Sequence, residues 1–254
     1  HLGLNDIDTL DDLARVKATV VKSIKKDGWA ILNAEDEYCM KLVKDLSCNI
    51  AYFSMDENSA VAKQLAKEGK IVAVYENGFI TIKKGEWKIR VERATHVPLT
   101  LGGKAKFMIA NVLAATLAAY LQGFKTEDIS LSLQTFIPSA VQTPGRMNIF
   151  EFKKFKVLID FTHNPAGYRG VEEYLSSVEA TKKIGIIGHS EGGMIAPMLS
   201  ANDKNIAFIV LLAGTGVPGD LLLLNQTNEI GKSQGLTEQQ LQDAKIINQK
   251  IYNI

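Results

Sequence analysis

Apolar residues recur along this chain in two periods, and the changes of period mark its elements. Leu10-Asp11-Asp12-Leu13-Ala14-Arg15-Val16-Lys17 sets apolar positions three and four apart, with acids early and lysines late. That pattern predicts an amphipathic helix to about Ile24, oriented as its dipole favours. Asp27-Gly28 turns it into Trp29–Asn33, a buried-strand pattern. A Tyr38–Leu46 helix, an Asn49–Phe53 strand and a Ser59–Ala66 helix continue an alternating α/β rhythm, which implies a parallel sheet. Lys70–Tyr75, Phe79–Lys83 and Trp87–Val91 then follow across Asn77-Gly78 and Gly85, the signature of a small antiparallel meander.

The loop Val97–Gly103 leads into a long alanine-rich helix, about Ala105 to Gln122, and Thr126-Glu127-Asp128 opens another to Leu133. Pro138 to Gly145 is a linker of structure breakers and the preferred domain boundary. Beyond it, Met147–Phe152 and Lys156–Asp160 form a strand pair, and Asn164-Pro165 supplies the N-cap and first position of a helix to about Ser177. Ile184–Ile187 is the next strand. It ends in Gly188-His189-Ser190-Glu191-Gly192, a G-x-S-x-G turn before the Met194–Leu199 helix. A strand Ile206–Leu212 follows, and a polar helical tail from Leu236 to Tyr252 opens with Thr237 and Gln240 spaced for a capping box. The class is α/β.

Charge excludes two partner classes. With 29 basic and 28 acidic residues the formal net is +1, so no bulk field marks nucleic acid or a membrane as partner. No apolar run reaches the ~18 residues of a spanning helix. Cys39 and Cys48 make no disulfide framework and lack metal-site spacing, so a reducing, cytoplasmic setting is expected. Residues 188–254 hold 6 of the 10 glutamines and 2 of the 19 aromatics, a shift compatible with a boundary near residue 188. The first residue is His1, so the chain is expected to begin inside a longer gene product.

An ordered set of motifs fills most of residues 1–187: His1-Leu2-Gly3-Leu4, Leu13–Lys17, Leu32-Asn33-Ala34-Glu35-Asp36, Val97–Gly103 with Asn111-Val112-Leu113-Ala114-Ala115, Pro138-Ser139 to Thr143-Pro144-Gly145-Arg146, and Asp160-Phe161-Thr162-His163-Asn164-Pro165. Together they resemble the Mur ligase family, and within it the ligase half of the cyanophycin synthetases. The resemblance implies joining of an amino acid to a carboxylate through an acyl phosphate made from ATP, with Mg²⁺ and cationic side chains neutralising phosphate charge. It implies His1 as a Mg²⁺ ligand and Lys17 at a position where the family often carries a carbamylated lysine that helps hold metal. Asn111 would bond the adenine edge, Arg146 approach the phosphates and Asp160 accept from the ribose hydroxyls. His163 and Asn164 would lie at the substrate cleft between the central and C-terminal domains, and an amino acid or peptide-like acceptor is the implied partner. Plainer roles stand beside these: a solvated His1, a helix-face Lys17, a packing Asn111, a turn-to-strand Arg146, and Asp160 and Asn164 as helix caps. No Gly-x-x-Gly-Lys-Ser/Thr occurs in the chain, since its Gly231-Lys232-Ser233 has Asn228 where the pattern needs its first glycine, so the family's phosphate-binding loop is expected to lie in an N-terminal part of the ligase upstream of His1.

From about Lys183 the chain instead resembles α/β-hydrolases of the serine-peptidase sort, carried by Gly188–Pro197 and Phe208–Gly214. Ser190 would be the nucleophile, Gly188 and Gly192 would let strand and helix approach, and the Glu191 N–H would give half an oxyanion hole. The plainer reading is a Gly-rich strand-to-helix turn. No histidine follows His189, which leaves Asp203, Asp220 and Asp243 with no base to orient.

The expected organisation has three parts. Residues 1–141 are a partial Mur-ligase central ATP-binding domain with its meander, 142–187 start the family's C-terminal domain, and 188–254 are an α/β-hydrolase-like segment completing a Rossmann-like sheet. The expected function is a fragment of an ATP-dependent amide ligase, inactive as this chain. The alternatives are a hydrolase fragment with an incomplete triad and a non-catalytic nucleotide-binding scaffold.

Overall fold

The Thr9 hydroxyl accepts the Asp12 N–H at 3.1 Å while the Asp12 carboxylate takes the Thr9 N–H at 3.0 Å, closing a capping box that starts α1 (Leu10–Lys22). The computed structural model describes residues 7–162, 164–178, 184–190, 192–214 and 216–252. Its contacts divide the chain into two units, His1–Val178 and Glu179–Ile254.

In the first unit β1 (Trp29–Asn33), β2 (Asn49–Ser54) and β3 (Val72–Glu76) pair in parallel, with α2 (Glu37–Leu42) and α3 (Ala60–Lys67) as crossovers. β3 continues into antiparallel β4 (Phe79–Lys84) and β5 (Trp87–Arg93), giving one sheet in the order β1-β2-β3-β4-β5. The meander is therefore the far half of the parallel sheet rather than a separate layer. Val72, Ala73 and Val74 explain why: each is at most 3% exposed, so β3 is covered on both faces and on both edges. Asn77 and Gly78, at φ 51° and 80°, make the left-handed turn that Asn-Gly promised.

The two faces are filled differently. α4 (Lys106–Leu121) lays Ile109, Val112, Leu113 and Leu117 over Ala51, Ala73 and Ile80. Ala30, Leu32, Tyr52, Val72 and Val74 face the other way and meet Ala62 and Ala66 of α3. α5 (Thr126–Thr135) covers Ile82 and Val91 through Ile129. β6 (Asn148–Glu151) and β7 (Lys156–Ile159) form the expected antiparallel pair, and α6 (Pro165–Ser177) follows. α6 is fastened to α4 by the Lys106–Glu173 ion pair at 2.5 Å and by the Phe107 ring under Gly170, where a Cβ would come within 2.8 Å of that ring.

The second unit begins with parallel strands β8 (Ile184–His189) and β9 (Ile206–Leu212), joined through α7 (Gly192–Asn202). α8 (Gly219–Ser233) and α9 (Glu238–Tyr252) complete it. The Thr237–Gln240 capping box forms as the spacing predicted, with N···O distances of 2.9 and 3.3 Å. α8 was not predicted, because four consecutive leucines from Leu221 hide any 3.6-residue period. No helix among the described residues is long and apolar enough to cross a membrane.

One polar group lies where apolar patterning does not foresee it. Register slips between Ile80 and Thr81, so Val91 is an extra residue on β5 and Glu92 turns inward, 8% exposed. Its carboxylate accepts from Ser130 Oγ at 2.7 Å, the Arg93 N–H at 2.7 Å, His96 Nδ1 at 3.0 Å and Gln134 Nε2. Burial alone would raise its pKa, but these hydrogen bonds, led by Ser130 and Gln134, outweigh it and hold the group at about 2 against an ordinary 4.5. A depressed carboxylate pKa stabilises the fold above its unfolded value and loses that contribution as pH falls through the folded one. Unfolding stability should therefore drop between about pH 4.5 and pH 2, by on the order of 3 kcal/mol from this group. Urea titrations from about pH 7 to about pH 3 should show that acid loss flattened in Glu92→Gln.

Candidate functional sites

Two of the candidate nucleotide residues, Arg146 and Asp160, adjoin one buried methionine, Met147. Met147 is 3% exposed and shares an apolar cluster with Met108 and Ala105 of the α4 region and Tyr174 of α6. Its backbone is left-handed, φ 50°, a strained position for a side chain with a Cβ. Two contacts hold it there. The Met147 N–H donates to Asp160 Oδ2 at 3.0 Å, and the Phe161 N–H donates to the Gly145 carbonyl at 2.6 Å. Asn148, 5% exposed, braces the loop from inside: its Oδ1 accepts the Gly145 N–H at 2.8 Å and its Nδ2 donates to the Thr143 carbonyl at 3.0 Å.

Arg146, between Gly145 and Met147, is thus fixed in the backbone and exposed in its side chain, with its guanidinium 5.9 Å from the Phe161 ring. Asp160 is half-buried. Its other oxygen, Oδ1, accepts from the Thr162 hydroxyl, so it ties β7 to the Arg146 loop and caps no helix. Asn111 is exposed on α4 and sends Nδ2 toward Met108 Sδ at 3.8 Å, which removes its reading as a packing residue. Asn111 thus faces Met108 and Asp160 bonds the backbone of Met147, and the link between them is the packing of Met108 with Met147. Asn164 does cap α6, its Oδ1 accepting the Gly167 N–H at 2.9 Å. Sequence reasoning missed Asn148; its one signal is an asparagine directly after Gly-Arg-Met at the start of a strand.

The metal positions are not gathered in the same way. His1 and His163 lie outside the described residues. Lys17 is on the exposed face of α1, and among the described residues no group of three His, Cys, Asp or Glu side chains is placed to hold a metal ion.

Ser190 sits on a turn with a nucleophile's backbone. It is exposed at φ 55°, its N–H donates to the Leu212 carbonyl at 2.9 Å, and its carbonyl accepts the Gly193 N–H at 2.9 Å. A Cβ on Gly188 would fall 2.0 Å from the Gly192 carbonyl oxygen, and one on Gly193 would fall 2.4 Å from the Gly214 Cα. Gly192 faces open space, so the close approach expected of Gly188 and Gly192 belongs to Gly188 and Gly193. Asp203 precedes β9, and in a parallel pair that is the end of the sheet away from Ser190. Its Oδ1 accepts the Asn205 N–H at 2.8 Å, and Asp243 accepts from Gln239 within α9. The Glu191 N–H and the side chain of Asp220 lie outside what is described.

Comparison with known proteins yields two family matches, the Mur ligase middle domain over residues 1–119 and the BAAT / acyl-CoA thioester hydrolase C terminal over residues 170–253. The chain is 45% identical over 188 residues to the cyanophycin synthetase of Trichormus variabilis, covering 74% of this chain and 21% of that protein. With the cyanophycin synthetase of Geminocystis herdmanii the identity is 44% over the same shares. The UDP-N-acetylmuramate–L-alanine ligase of Acetivibrio thermocellus is 28% identical over 175 residues, 65% of this chain and 33% of that one. The match thus spans about one fifth of the length of the cyanophycin synthetases. Among solved structures, MurF from Acinetobacter baumannii covers 89% of this chain and 50% of its own at a TM-score of 0.53 and 16% identity. The apo form of L. casei FPGS covers 83% and 47% at 0.52 and 16%. These two show a shared α/β fold.

The glycine geometry separates two substitutions that look alike in sequence. Gly188→Ala should lose upwards of about 2 kcal/mol of stability in the second unit, since backbone must move to admit the methyl. Gly192→Ala should stay within about 0.5 kcal/mol. Thermal melts of both variants check this.

Proposed function

We propose that this chain, which matches the Mur ligase middle domain over residues 1–119 and the BAAT / acyl-CoA thioester hydrolase C terminal over residues 170–253, is part of an ATP-dependent amide ligase of the cyanophycin synthetase kind. What supports it is the packing of Met108, toward whose sulfur Asn111 points, with Met147, which follows Arg146 and donates to Asp160. Their chemistry suits a nucleotide. The Asn111 amide offers a donor and an acceptor to an adenine edge, the Arg146 fork suits phosphate oxygens, and Asp160 keeps lone pairs for ribose hydroxyls. ATP would supply the phosphoryl group that activates a carboxylate toward an amine. The chain's own part is to hold and orient: Asn148 fixes the loop on which Arg146 is presented, and Asp160 fixes that loop to β7. The described residues gather no donor set that fits Mg²⁺, and no step is assigned to it.

We read residues 1–141 as the central domain, 142–187 as the start of the C-terminal domain and 188–254 as the hydrolase-like segment, in a cytoplasmic protein. A polypeptide of these 254 residues holds nucleotide without turning it over, because they contain no Gly-x-x-Gly-Lys-Ser/Thr loop to cradle the β- and γ-phosphates, and their one Gly-Lys-Ser, Gly231–Ser233, is the last turn of α8. An amino acid and a carboxylate-bearing, peptide-like acceptor are the partners this reading implies.

Calorimetry with a non-hydrolysable ATP analogue tests it. Arg146→Ala and Asn111→Ala, both at exposed positions, should weaken binding roughly tenfold and fivefold, as expected for one charged and one neutral hydrogen-bonding group. Absence of binding by the parent chain at millimolar analogue would sink the proposal, and amide formation by the chain alone would sink its inactivity.

The left-handed Ser190 favours a second reading, a hydrolase with an exposed nucleophile. With no histidine after His189 to act as base, Ser190 should resist a fluorophosphonate probe. Labelling that disappears in Ser190→Ala would reinstate the hydrolase.

A further inference from the structure

The far edge of the sheet carries a pattern that neither the nucleotide residues nor the serine turn uses. β5 ends the strand order, and no described strand pairs with its outer side. On one face of β3–β5, Glu76 accepts from Lys83 at 2.5 Å and from Lys88 at 3.3 Å. Beside it the Phe79 ring carries two guanidiniums, Arg93 at 4.4 Å and Arg90 at 4.9 Å from its centroid. Phe79 is the register partner of both Glu76 and Arg93, so the six side chains form one patch.

Four cations share one carboxylate there, and neither guanidinium ion-pairs with a described residue. On a chain of net charge +1 this is a local concentration of charge rather than part of a general excess. Stacking on a phenyl ring holds a guanidinium in place without neutralising it, and leaves its N–H fork for an incoming carboxylate.

The opposite face of the same edge has an apolar strip within a polar groove. Ile89 and Val91 of β5 and Leu131 of α5 line the groove together with Arg90, Thr126, Glu127, Ser130 and Gln134, and Leu131 is 60% exposed in it. A strand alternates its side chains between two faces. One added along β5 would send one set to the cations and the other into the groove.

We propose that the β5 edge takes up an extended peptide as a sixth strand, its acidic residues meeting Lys88, Arg90 and Arg93 and its alternate, apolar residues entering the α5 groove. Main-chain hydrogen bonds give such a complex its affinity and the two faces give it selectivity. A second copy of the chain suits the edge poorly, because pairing β5 with itself sets Lys88 and Arg90 against their own kind. Nucleic acid would answer the charge but has no peptide backbone to pair with the edge.

The test uses the full chain and two fluorescent peptides of equal composition, one alternating Asp and Val and one with its aspartates and valines in separate blocks. Anisotropy should show the alternating peptide binding roughly tenfold more tightly, and losing affinity when salt rises from about 20 to about 300 mM. Arg90→Gln/Arg93→Gln should lose roughly tenfold or more of that affinity with an unchanged melt, whereas Lys125→Gln should lose none. Hydrogen exchange at Trp87–Arg90 should slow on binding. Equal affinity for the blocked peptide, stronger binding of a single-stranded oligonucleotide, unaltered exchange at β5, or no binding at low salt would each overturn the proposal.

Discussion

Burial of α4 against the sheet is the constraint on which the first unit depends. Ile109, Leu113 and Leu117 have no exposed surface, and Val112 has 1%. Each such side chain contributes roughly 1.5–3 kcal/mol by leaving water, so the helix can neither rotate nor slide without losing much of a domain's margin. That rigidity fixes everything else α4 carries. Its first turn anchors α6 through Lys106 and Phe107, and its solvent face presents Asn111 at a set height above Met108. A rigid apolar helix thus sets the spacing of polar groups that belong to other elements.

Polar atoms inside the fold are used as fasteners. Thr100, with no exposed surface, donates to the Ala94 carbonyl at 2.6 Å and accepts the Gly103 N–H at 3.0 Å, closing the loop before α4. Asn148 does the same for the Arg146 loop, and Glu92 joins α5 to the sheet. Buried groups of this kind are costly when unpartnered, so each loop they close has one low-energy arrangement. Met147 and Ser190 show the complement: both are held left-handed by hydrogen bonds that their N–H groups donate, to the Asp160 carboxylate and the Leu212 carbonyl, and both stand beside a candidate site.

Much of this was readable from residue order because it is local. The Asn164 cap, the Thr237 capping box, the Asn77-Gly78 turn and the G-x-S-x-G turn each depend on a few adjacent residues. The grouping of Asn111 with Arg146 and Asp160 was an expectation from a resemblance, since no local pattern encodes a contact between α4 and the loop before β6. What escaped is non-local or breaks a period. The slip at Val91 places two successive residues of β5 inside, so alternation could not reveal Glu92. Gly193, rather than Gly192, is the tight glycine because its neighbour is Gly214, some twenty residues on. The leucine run hid α8 by being apolar on every side.

The glycines of the second unit have a consequence for descent. Gly188 fits against Gly192, and Gly193 against Gly214, so atoms from β8, α7 and the end of β9 interlock with no room for a methyl. A crossover between unrelated genes inside residues 188–214 would pair halves never shaped to one another and leave backbone colliding with backbone. Exchange is tolerated only outside that span. The stretch from Gly188 to Gly214 is in this sense a single heritable block.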